Sequence, residues 1–167
     1  MRICRLVIIS IIIFLQIDKV NSQNLSLNVV TQNAGVVKKG ELIFFEIVIN
    51  NTSPIKVVPG FKVRPQITFP NTLVDVQNKG HVLPEGWQII SNTKGVVVLT
   101  NGTDVIGQNE KRSILISIKG IGLGGPSTIM GNMLFSNGIT PGNVPGIALN
   151  GDLLADNIST STVKVVK

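Results

Sequence analysis

Apolar and polar residues alternate along much of the chain with a period of two. In residues 61–69 (FKVRPQITF) every odd position is apolar, while the even positions carry Lys, Arg, Gln and Thr. This period is typical of a β-strand with one buried face. Because Pro65 has no N–H to donate to a neighbouring strand, the segment is predicted to lie at a sheet edge or to contain a bulge.

Two other segments give equally clear strand patterns. Residues 41–50 (ELIFFEIVIN) have one continuous apolar face and a mixed opposite face, which predicts a central strand. Residues 112–119 (RSILISIK) place three isoleucines on one face and mostly polar residues on the other. Weaker strand patterns occur at Leu25–Thr31, residues 87–91, Val96–Thr100, residues 128–135 and Ile158–Val166.

Polar turns separate these segments. Asn-Gly and Pro-Gly pairs, which tolerate positive φ, stand between the predicted strands, and no stretch keeps a helical period. Seven to eight short strands at this spacing predict an all-β fold, a two-sheet antiparallel β-sandwich formed by one domain. The predicted core comprises Leu27, Val29, Ile43, Phe45, Ile47, Ile49, Val63, Ile67, Ile114, Ile116 and Ile118.

The N-terminus has the three parts of a signal peptide. Two arginines in the first five residues precede an uncharged apolar run, residues 6–15 (LVIISIIIFL), and the small-residue ending Val20-Asn21-Ser22 follows. The run is too short for a bilayer span, which takes about 20 residues. We predict cleavage after Ser22, which makes residues 1–22 a signal peptide and residues 23–167 the exported domain. The alternative is an uncleaved N-terminal anchor.

Composition excludes several kinds of site. The chain has one Cys and one His, whereas a zinc site usually takes at least two or three such ligands. Cys4 lies in the predicted signal peptide, so a disulfide within the mature chain is excluded as well. The formal charge of +6 falls by two units on cleavage. Because the remaining lysines are scattered and do not interleave with aromatic residues, a nucleic-acid surface is not expected.

Four groups of residues occur in the order found in a family of surface repeats. They are Gly40-Glu41 before a strand that ends Val48-Ile49-Asn50-Asn51, the turn Leu83-Pro84-Glu85-Gly86-Trp87, the segment Gly107 to Ile118 (GQNEKRSILISI), and Asp156-Asn157 before the last strand. In this order they resemble the bacterial Ig-like repeat called domain of unknown function eleven. The resemblance implies an Ig-like sandwich with an extracellular structural or adhesive role, and it implies no catalytic residues. The family usually occurs as repeats, whereas this chain has a single copy.

Two motifs resemble parts of a cofactor-binding or catalytic site, but a structural role explains them better. Residues 120–125 (GIGLGG) match the G-x-G-x-x-G pattern of dinucleotide-binding loops and follow a predicted strand. However, Pro126 comes next, no helix pattern opens, and the following acidic residue is Asp152, so we predict a loop between strands. His81 lies in a polar turn, and we predict a surface side chain without a catalytic role.

The residues before the last strand offer oxygen ligands. Asp152, Asp156, Asn150 and Asn157 carry the carboxylate and amide oxygens that Ca²⁺ prefers. Their spacing matches no calcium-loop signature, so we predict a polar loop and no metal or cofactor site.

The residues before the last strand allow a second interpretation, an isopeptide cross-link. It would join Lys38 or Lys39 to Asn157, with Glu46 as the buried acid. Adjacent lysines in a turn before a strand usually face solvent, so we expect no cross-link.

Trp87 is a candidate for sugar binding, and several Asn residues are candidates for glycosylation. Sugar sites commonly present several aromatic side chains, whereas Trp87 is the only Trp, so we predict that it anchors the core between the sheets. The glycosylation triplet begins at Asn24, Asn50, Asn51, Asn101 and Asn157, and it matters only in a eukaryotic source, which the family resemblance argues against.

These observations predict a function by contact rather than catalysis. Glu41 and Glu46 are the nearest pair of acids on a strand, but an odd spacing places them on opposite faces. We therefore predict a secreted or cell-surface, non-catalytic module that mediates adhesion or scaffolding with a protein or cell-surface partner. The contact loops are predicted at residues 71–85 and 136–156. The alternative is a fimbrial or filament subunit that self-assembles by β-strand addition, with residues 23–31 as the donated strand.

Overall fold

A computed structural model describes residues 24–136, residue 152 and residues 154–167. Within these ranges the chain forms ten strands and two short 3₁₀ turns, Gln32–Gly35 and Leu154–Asn157. The strands are β1 (Leu25–Thr31), β2 (Val36–Lys38), β3 (Leu42–Asn51), β4 (Val63–Thr68), β5 (Val74–Val76), β6 (Gln88–Thr93), β7 (Val96–Thr100), β8 (Lys111–Gly120), β9 (Gly124–Phe135) and β10 (Ile158–Val166). The predicted signal peptide and its cleavage site lie outside the described residues.

The strands form two sheets that enclose the core. One sheet has the order β1-β3-β8-β5 and the other the order β2-β10-β9-β4-β7-β6. The predicted all-β, Ig-like sandwich is confirmed, with two differences. The strands β2 and β5 have three residues each and are too short to show a period in the sequence. In addition, β2 pairs with β10 in parallel, so the sandwich is not purely antiparallel.

The turn Gln32–Gly35 carries the chain from one sheet to the other. Asn33 and Ala34 have φ values of 51° and 50°, and Gly35 has a φ of 76°. A Cβ atom on Gly35 would lie 2.1 Å from the carbonyl oxygen of Thr162. Only glycine therefore lets the turn lie this close to β10.

The apolar core lies between the sheets and contains every residue predicted for it. The most exposed member of that set is Ile43, at 7%. The rings of Phe45 and Phe69 meet edge to face, with centroids 5.7 Å apart. Trp87 belongs to the same cluster and is 5% exposed, as predicted for an anchor of the core.

The strand predicted at residues 61–69 differs from the prediction in two ways. It begins at Val63, and Phe61 lies outside it with a 52% exposed side chain. It is also a central strand, between β9 and β7, rather than an edge. In a strand, the N–H groups of residues two apart point to the same neighbouring strand. Pro65 is tolerated because the registered pairs between β4 and β7 end at Gln66, so the ladder on that side needs no N–H from residue 65.

Candidate contact surface

Two loops, residues 52–62 and 101–110, meet at one end of the sandwich. Val58 and Ile106 pair there in an antiparallel bridge with N···O distances of 2.9 and 3.0 Å, and both side chains are fully buried. Because neighbours of a paired residue point to the opposite side, Val57, Pro59 and Val105 face outward. All three are exposed.

Buried Asn51 holds the first loop against the second. Its Oδ1 accepts a hydrogen bond from the Ser53 N–H at 3.1 Å, and its Nδ2 donates to the carbonyl oxygens of Lys56 at 2.8 Å and Gly107 at 2.9 Å. A buried amide with its donors and acceptor satisfied fixes the groups around it. The loops are therefore joined by a side chain as well as by the backbone bridge.

Buried Asn101 makes a matching set of hydrogen bonds from the second loop. Its Oδ1 accepts from the Val63 N–H at 3.0 Å, and its Nδ2 donates to the carbonyl oxygens of Pro59 at 2.9 Å and Asp104 at 2.7 Å. The start of β4 is thus fixed to both loops.

Asp104 connects this end of the molecule to the core. Its Oδ2 accepts hydrogen bonds from Nε1 of Trp87 and Nε of Arg112, each at 2.7 Å, and Nη2 of Arg112 also lies 3.0 Å from Oε2 of Glu110. Burial acts to raise the pKa of Asp104, but the hydrogen bonds from Arg112 and Trp87 outweigh it and lower the pKa below its ordinary value. The Asp104 carboxylate is therefore ionised, and hydrogen bonds from Trp87 and Arg112 fix its position.

Phe61 is strained and exposed at the same time. Its φ of 57° lies in the left-handed region, which costs a non-glycine residue about 1–2 kcal/mol. The Phe61 N–H donates to the carbonyl oxygen of Gly102 at 2.5 Å, which holds the backbone in place. With 52% of the residue exposed, the ring does not gain the full stabilisation of a buried side chain.

We call a set of five exposed apolar residues of the two loops the apolar rim. They are 42–52% exposed where the fraction is resolved, and Lys56 and Lys62 stand among them in the sequence. The sequence patterns led to a different surface because Phe61 fits the alternation of β4. A usable signal was the group of apolar residues among the prolines and glycine of residues 54–61. The apolar rim comprises Ile55, Val57, Pro59, Phe61 and Val105.

The two predicted contact loops are placed differently. Residues 71–85 are not an open loop, because they contain β5 and the buried side chains of Leu73, Val74 and Val76. Four of their polar residues, Asn71, Asp75, Gln77 and Asn78, line a groove between β5 and β6. There Nδ2 of Asn92 donates to the carbonyl oxygen of Gln77 at 3.4 Å. Most of residues 136–156 lies outside the described residues, so contact through that loop stays a prediction.

The glycine motif and His81 have structural surroundings. Residues 120–125 join the end of β8 to the start of β9, and the N–H groups of Ile121 and Gly122 donate to the carbonyl oxygen of Leu73. The sequence prediction of a loop between strands is confirmed. His81 is half-buried rather than fully exposed, since its Nδ1 accepts a hydrogen bond from the Ser117 N–H at 3.1 Å.

The residues considered for a cross-link are not brought together. Lys38 and Lys39 are exposed, and Lys38 pairs with Val166 at the end of β10. Asn157 precedes the start of β10 and is buried. A strand of this length separates the two positions by about 3.3 Å per residue, so Lys38 does not reach Asn157.

Burial also bears on the glycosylation triplets. Asn51, Asn101 and Asn157 are 1%, 0% and 4% exposed, so they do not present an acceptor nitrogen at the surface of the folded domain. Asn24 and Asn50 are partly exposed.

Asp152, Asp156 and Asn157 do come together, beside the start of β1. Asp152 accepts hydrogen bonds from the Leu25 N–H at 2.9 Å and from Nδ2 of Asn157 at 2.6 Å. Oδ2 of Asp156 accepts from Nδ2 of Asn24 at 3.1 Å. Burial raises the pKa of Asp152 above its ordinary value, and the charge of Asp156 adds to that rise. Asn150, the fourth residue considered, lies outside the described residues.

The described residues form neither a cluster of metal ligands nor a membrane-spanning helix. In the described part of the chain, no three His, Cys, Asp or Glu side chains gather closely enough to hold a metal ion by themselves. No helix of membrane-spanning length and hydrophobicity occurs in residues 24–136, 152 or 154–167.

Comparison with known proteins gives likeness in fold. No family model matches the chain, and no curated protein matches it. The chain is similar to one in the complex of CaDoc0917 with CaCohA2 from Clostridium acetobutylicum, with a TM-score of 0.51, 12% identity, and 84% of this chain and 100% of that chain covered. It is also similar to the cohesin module of a family 33 glycoside hydrolase from Clostridium perfringens, with a TM-score of 0.50, 10% identity, and 86% and 96% covered. Both likenesses agree with the sandwich described above.

Proposed function

We propose that this protein is an exported, non-catalytic module of the cell surface or extracellular space, and that it makes scaffolding or adhesive contacts with a protein partner through the apolar rim. The observation that carries the proposal is the strained, exposed Phe61. Strain of this kind persists where the surrounding structure enforces it, and it clusters at binding sites.

The rigidity of the apolar rim supports the same function. Loops already fixed by Asn51 and Asn101 lose little conformational freedom when a partner binds, so more of the contact energy appears as affinity. An aromatic side chain surrounded by smaller apolar ones is the usual composition of the centre of a protein interface.

Two likenesses point the same way. CaCohA2, which has the same kind of fold, occurs in a complex with CaDoc0917. The motif order of the bacterial Ig-like surface repeats also fits a module of this kind, and we propose membership of that family. The turn Leu83–Trp87, one of the matching motifs in this chain, packs closely on the second loop. A Cβ atom on Gly86 would lie only 2.7 Å from Oγ1 of Thr103.

The filament alternative has weaker support. Within the predicted donor segment, residues 23–31, Leu25–Thr31 already pair with β3. The edge strand β6 has a register shift between Ile89 and Ser91, and such bulges hinder the addition of a strand. Fibres in electron micrographs of the purified protein would nevertheless favour the subunit function over the module function.

Binding to cells or envelope proteins of the source organism tests the proposal. The fluorescently labelled protein should bind saturably, and a variant with Phe61→Ser and Val105→Ser should bind at least about tenfold more weakly, which corresponds to about 1.4 kcal/mol. Phe61 and Val105 are both exposed, so the variant should keep its fold.

A matched control is Ile90→Ser on β6, which removes a side chain from a residue that is 45% exposed. It should bind as the wild type does. Equal binding by the variant of the apolar rim, or hydrolytic activity that disappears when a single carboxylate is replaced, would contradict the proposal.

A further inference from the structure

We propose that two copies of this protein associate face to face through the outer side of the sheet β1-β3-β8-β5. Five apolar side chains surround Glu46 on that side of the sheet, and Lys119 lies towards one end of it. We call the five apolar residues the dimer face, and they are Val30, Phe44, Val48, Val82 and Leu115. The dimer face is separate from the apolar rim, and its association does not depend on the proposed function.

The pairing of the strands places the dimer face around one carboxylate. The residues two positions before and after Glu46 on β3 are both apolar, and they point to the same side as Glu46. On the adjacent strands, Val30 and Leu115 stand opposite Glu46. Val82 pairs with Leu115 on the far side of β8. Because paired residues of antiparallel strands point to the same side of a sheet, all these side chains lie together on its outer side.

The dimer face is more apolar than a sheet face in contact with solvent usually is. An antiparallel sheet that packs on the core with one face normally carries polar side chains on the other face. Here Val30 and Val82 are 45% and 54% exposed, and Phe44 and Leu115 are half-buried. The second sheet of the sandwich covers only the inner face of β3. A second surface is therefore expected to cover the outer face.

Glu46 limits the chemistry of that second surface. Its carboxylate accepts a hydrogen bond from the Ser113 hydroxyl, and it forms no salt bridge with any residue that the structure describes. A purely apolar partner would take the water from this charge without replacing it, which is strongly unfavourable. The partner must therefore place a cationic group against Glu46 within an otherwise apolar surface.

A second copy of the chain carries such a group beside its own dimer face. Lys119 is exposed and points to the same side of the sheet as Leu115, four residues before it on β8. Asp75 on β5 stands opposite Lys119, but its carboxylate accepts from Nε2 of Gln77 at 3.1 Å and forms no salt bridge with the lysine. The ammonium group of Lys119 is therefore available to a carboxylate of another copy.

The strand register shows how two copies fit. Along the strands, Phe44 lies midway between the row of Glu46 and the row of Lys119. A two-fold axis that crosses the dimer face at Phe44 therefore brings Glu46 of each copy to the row of Lys119 in the other, and the same contact forms twice. This arrangement places an aromatic side chain at the centre of the interface and the charges further out, as in other protein interfaces. The loops of the apolar rim follow β3 and precede β8, at the opposite end of these strands from Lys119, so both copies keep that surface open.

Sedimentation equilibrium of the purified protein over a range of concentrations tests the dimer. The wild type should pass from monomer to dimer with a Kd of about 0.1 mM or lower. Glu46→Lys and Lys119→Glu should each weaken the dimer at least about tenfold, because each substitution sets like charges against each other. Both side chains lie on the outer side of the sheet, so circular dichroism should show that each variant keeps the fold.

The decisive variant combines the two substitutions. Glu46→Lys with Lys119→Glu restores opposite charges across the two-fold axis, so its Kd should return to within about threefold of the wild-type value. Lys111→Glu is the control, because it makes the same change of charge on the same side of the sheet at the other end of β8, and it should dimerise as the wild type does. A wild type that stays monomeric up to about 1 mM, a wild-type Kd in Lys119→Glu, or no recovery in the double variant would overturn the proposal.

Discussion

The indole N–H of Trp87 donates a hydrogen bond to Oδ2 of Asp104 across 2.7 Å. This contact joins a core side chain to the loop that carries Val105 of the apolar rim. Arg112 donates to the same oxygen from β8, so three parts of the chain meet at one carboxylate. The position of the apolar rim is therefore coupled to the packing of the core, and the coupling depends on charge.

Acid should loosen this end of the molecule. Although burial opposes ionisation of Asp104, hydrogen bonds from Arg112 and Trp87 hold its pKa below the ordinary 3.8. The folded protein therefore binds that proton less readily than the unfolded chain does, so the stabilisation is present above the unfolded pKa and is lost as the pH falls through the folded pKa. Urea unfolding at pH 7 and at successively lower pH should show this loss below about pH 4.

Asp104→Asn provides the comparison for that pH series. It should lower the free energy of unfolding at pH 7 by about 1–3 kcal/mol, because charge-assisted hydrogen bonds to partly buried partners are lost. Its stability should then fall less steeply with acid than that of the wild type. Parallel acid profiles for the two proteins would show that Asp104 does not carry the effect.

Ile47→Ala tests the core. The side chain is fully buried in β3, so its truncation should lower the free energy of unfolding by about 2–5 kcal/mol. Leu42→Ala in the same strand is the matched control, because Leu42 is 58% exposed and should change stability by less than about 0.5 kcal/mol. Far-UV circular dichroism with urea measures both, and a helical spectrum would contradict the fold itself.

Phe61→Gly should stabilise the protein while it weakens partner binding. Glycine adopts a φ of 57° without steric cost, so relief of the strain should raise the free energy of unfolding by up to about 1 kcal/mol, offset in part by the greater entropy of the unfolded chain. Thermal unfolding measures the change. A loss of more than about 2 kcal/mol would mean that the ring packs as a core residue does.

Export with cleavage after Ser22 can be measured directly. The intact mass or N-terminal sequence of the secreted protein should correspond to a chain that begins at Gln23. Substitution of Ser22 by a bulky residue such as Trp should block cleavage, because the peptidase accepts small side chains there. A membrane-retained species that still carries the apolar run of residues 6–15 would support the uncleaved anchor instead.

The strand pattern predicted most of the fold because burial on one face imposes a period of two. The bounds of β1, β7 and β10 match the predicted segments, and every residue predicted for the core is buried. The short strands β2 and β5 could not be found, since three residues do not establish a period. Their pairing with β10 and β8 depends on tertiary packing instead.

The sites were less predictable for a different reason. Phe61 continues the alternation of β4 by residue type, but it lies outside the strand because its backbone has a φ of 57°. The carboxylate and amide oxygens of Asp152, Asp156 and Asn157 are evident in the sequence, whereas their closeness to the start of β1 arises only when the sheets pack. Loop geometry and contacts between distant segments leave no period in a sequence.

The turn at Gly35 has a mechanical consequence. Beyond it, β2 runs parallel to β10, and the hydrogen bond from the Val29 N–H to Ser159 shows that β1 already lies alongside that strand. A pulling force applied between Asn24 and Lys167 would therefore act along β1 and β10 in opposite directions. All contacts between the two strands would then resist the force at the same time. Lys39 and Lys167 are neighbours at one end of the β2–β10 pair. If the force were applied at these two residues, the hydrogen bonds between the strands would break one after another. Single-molecule pulling should require the larger force in the first geometry.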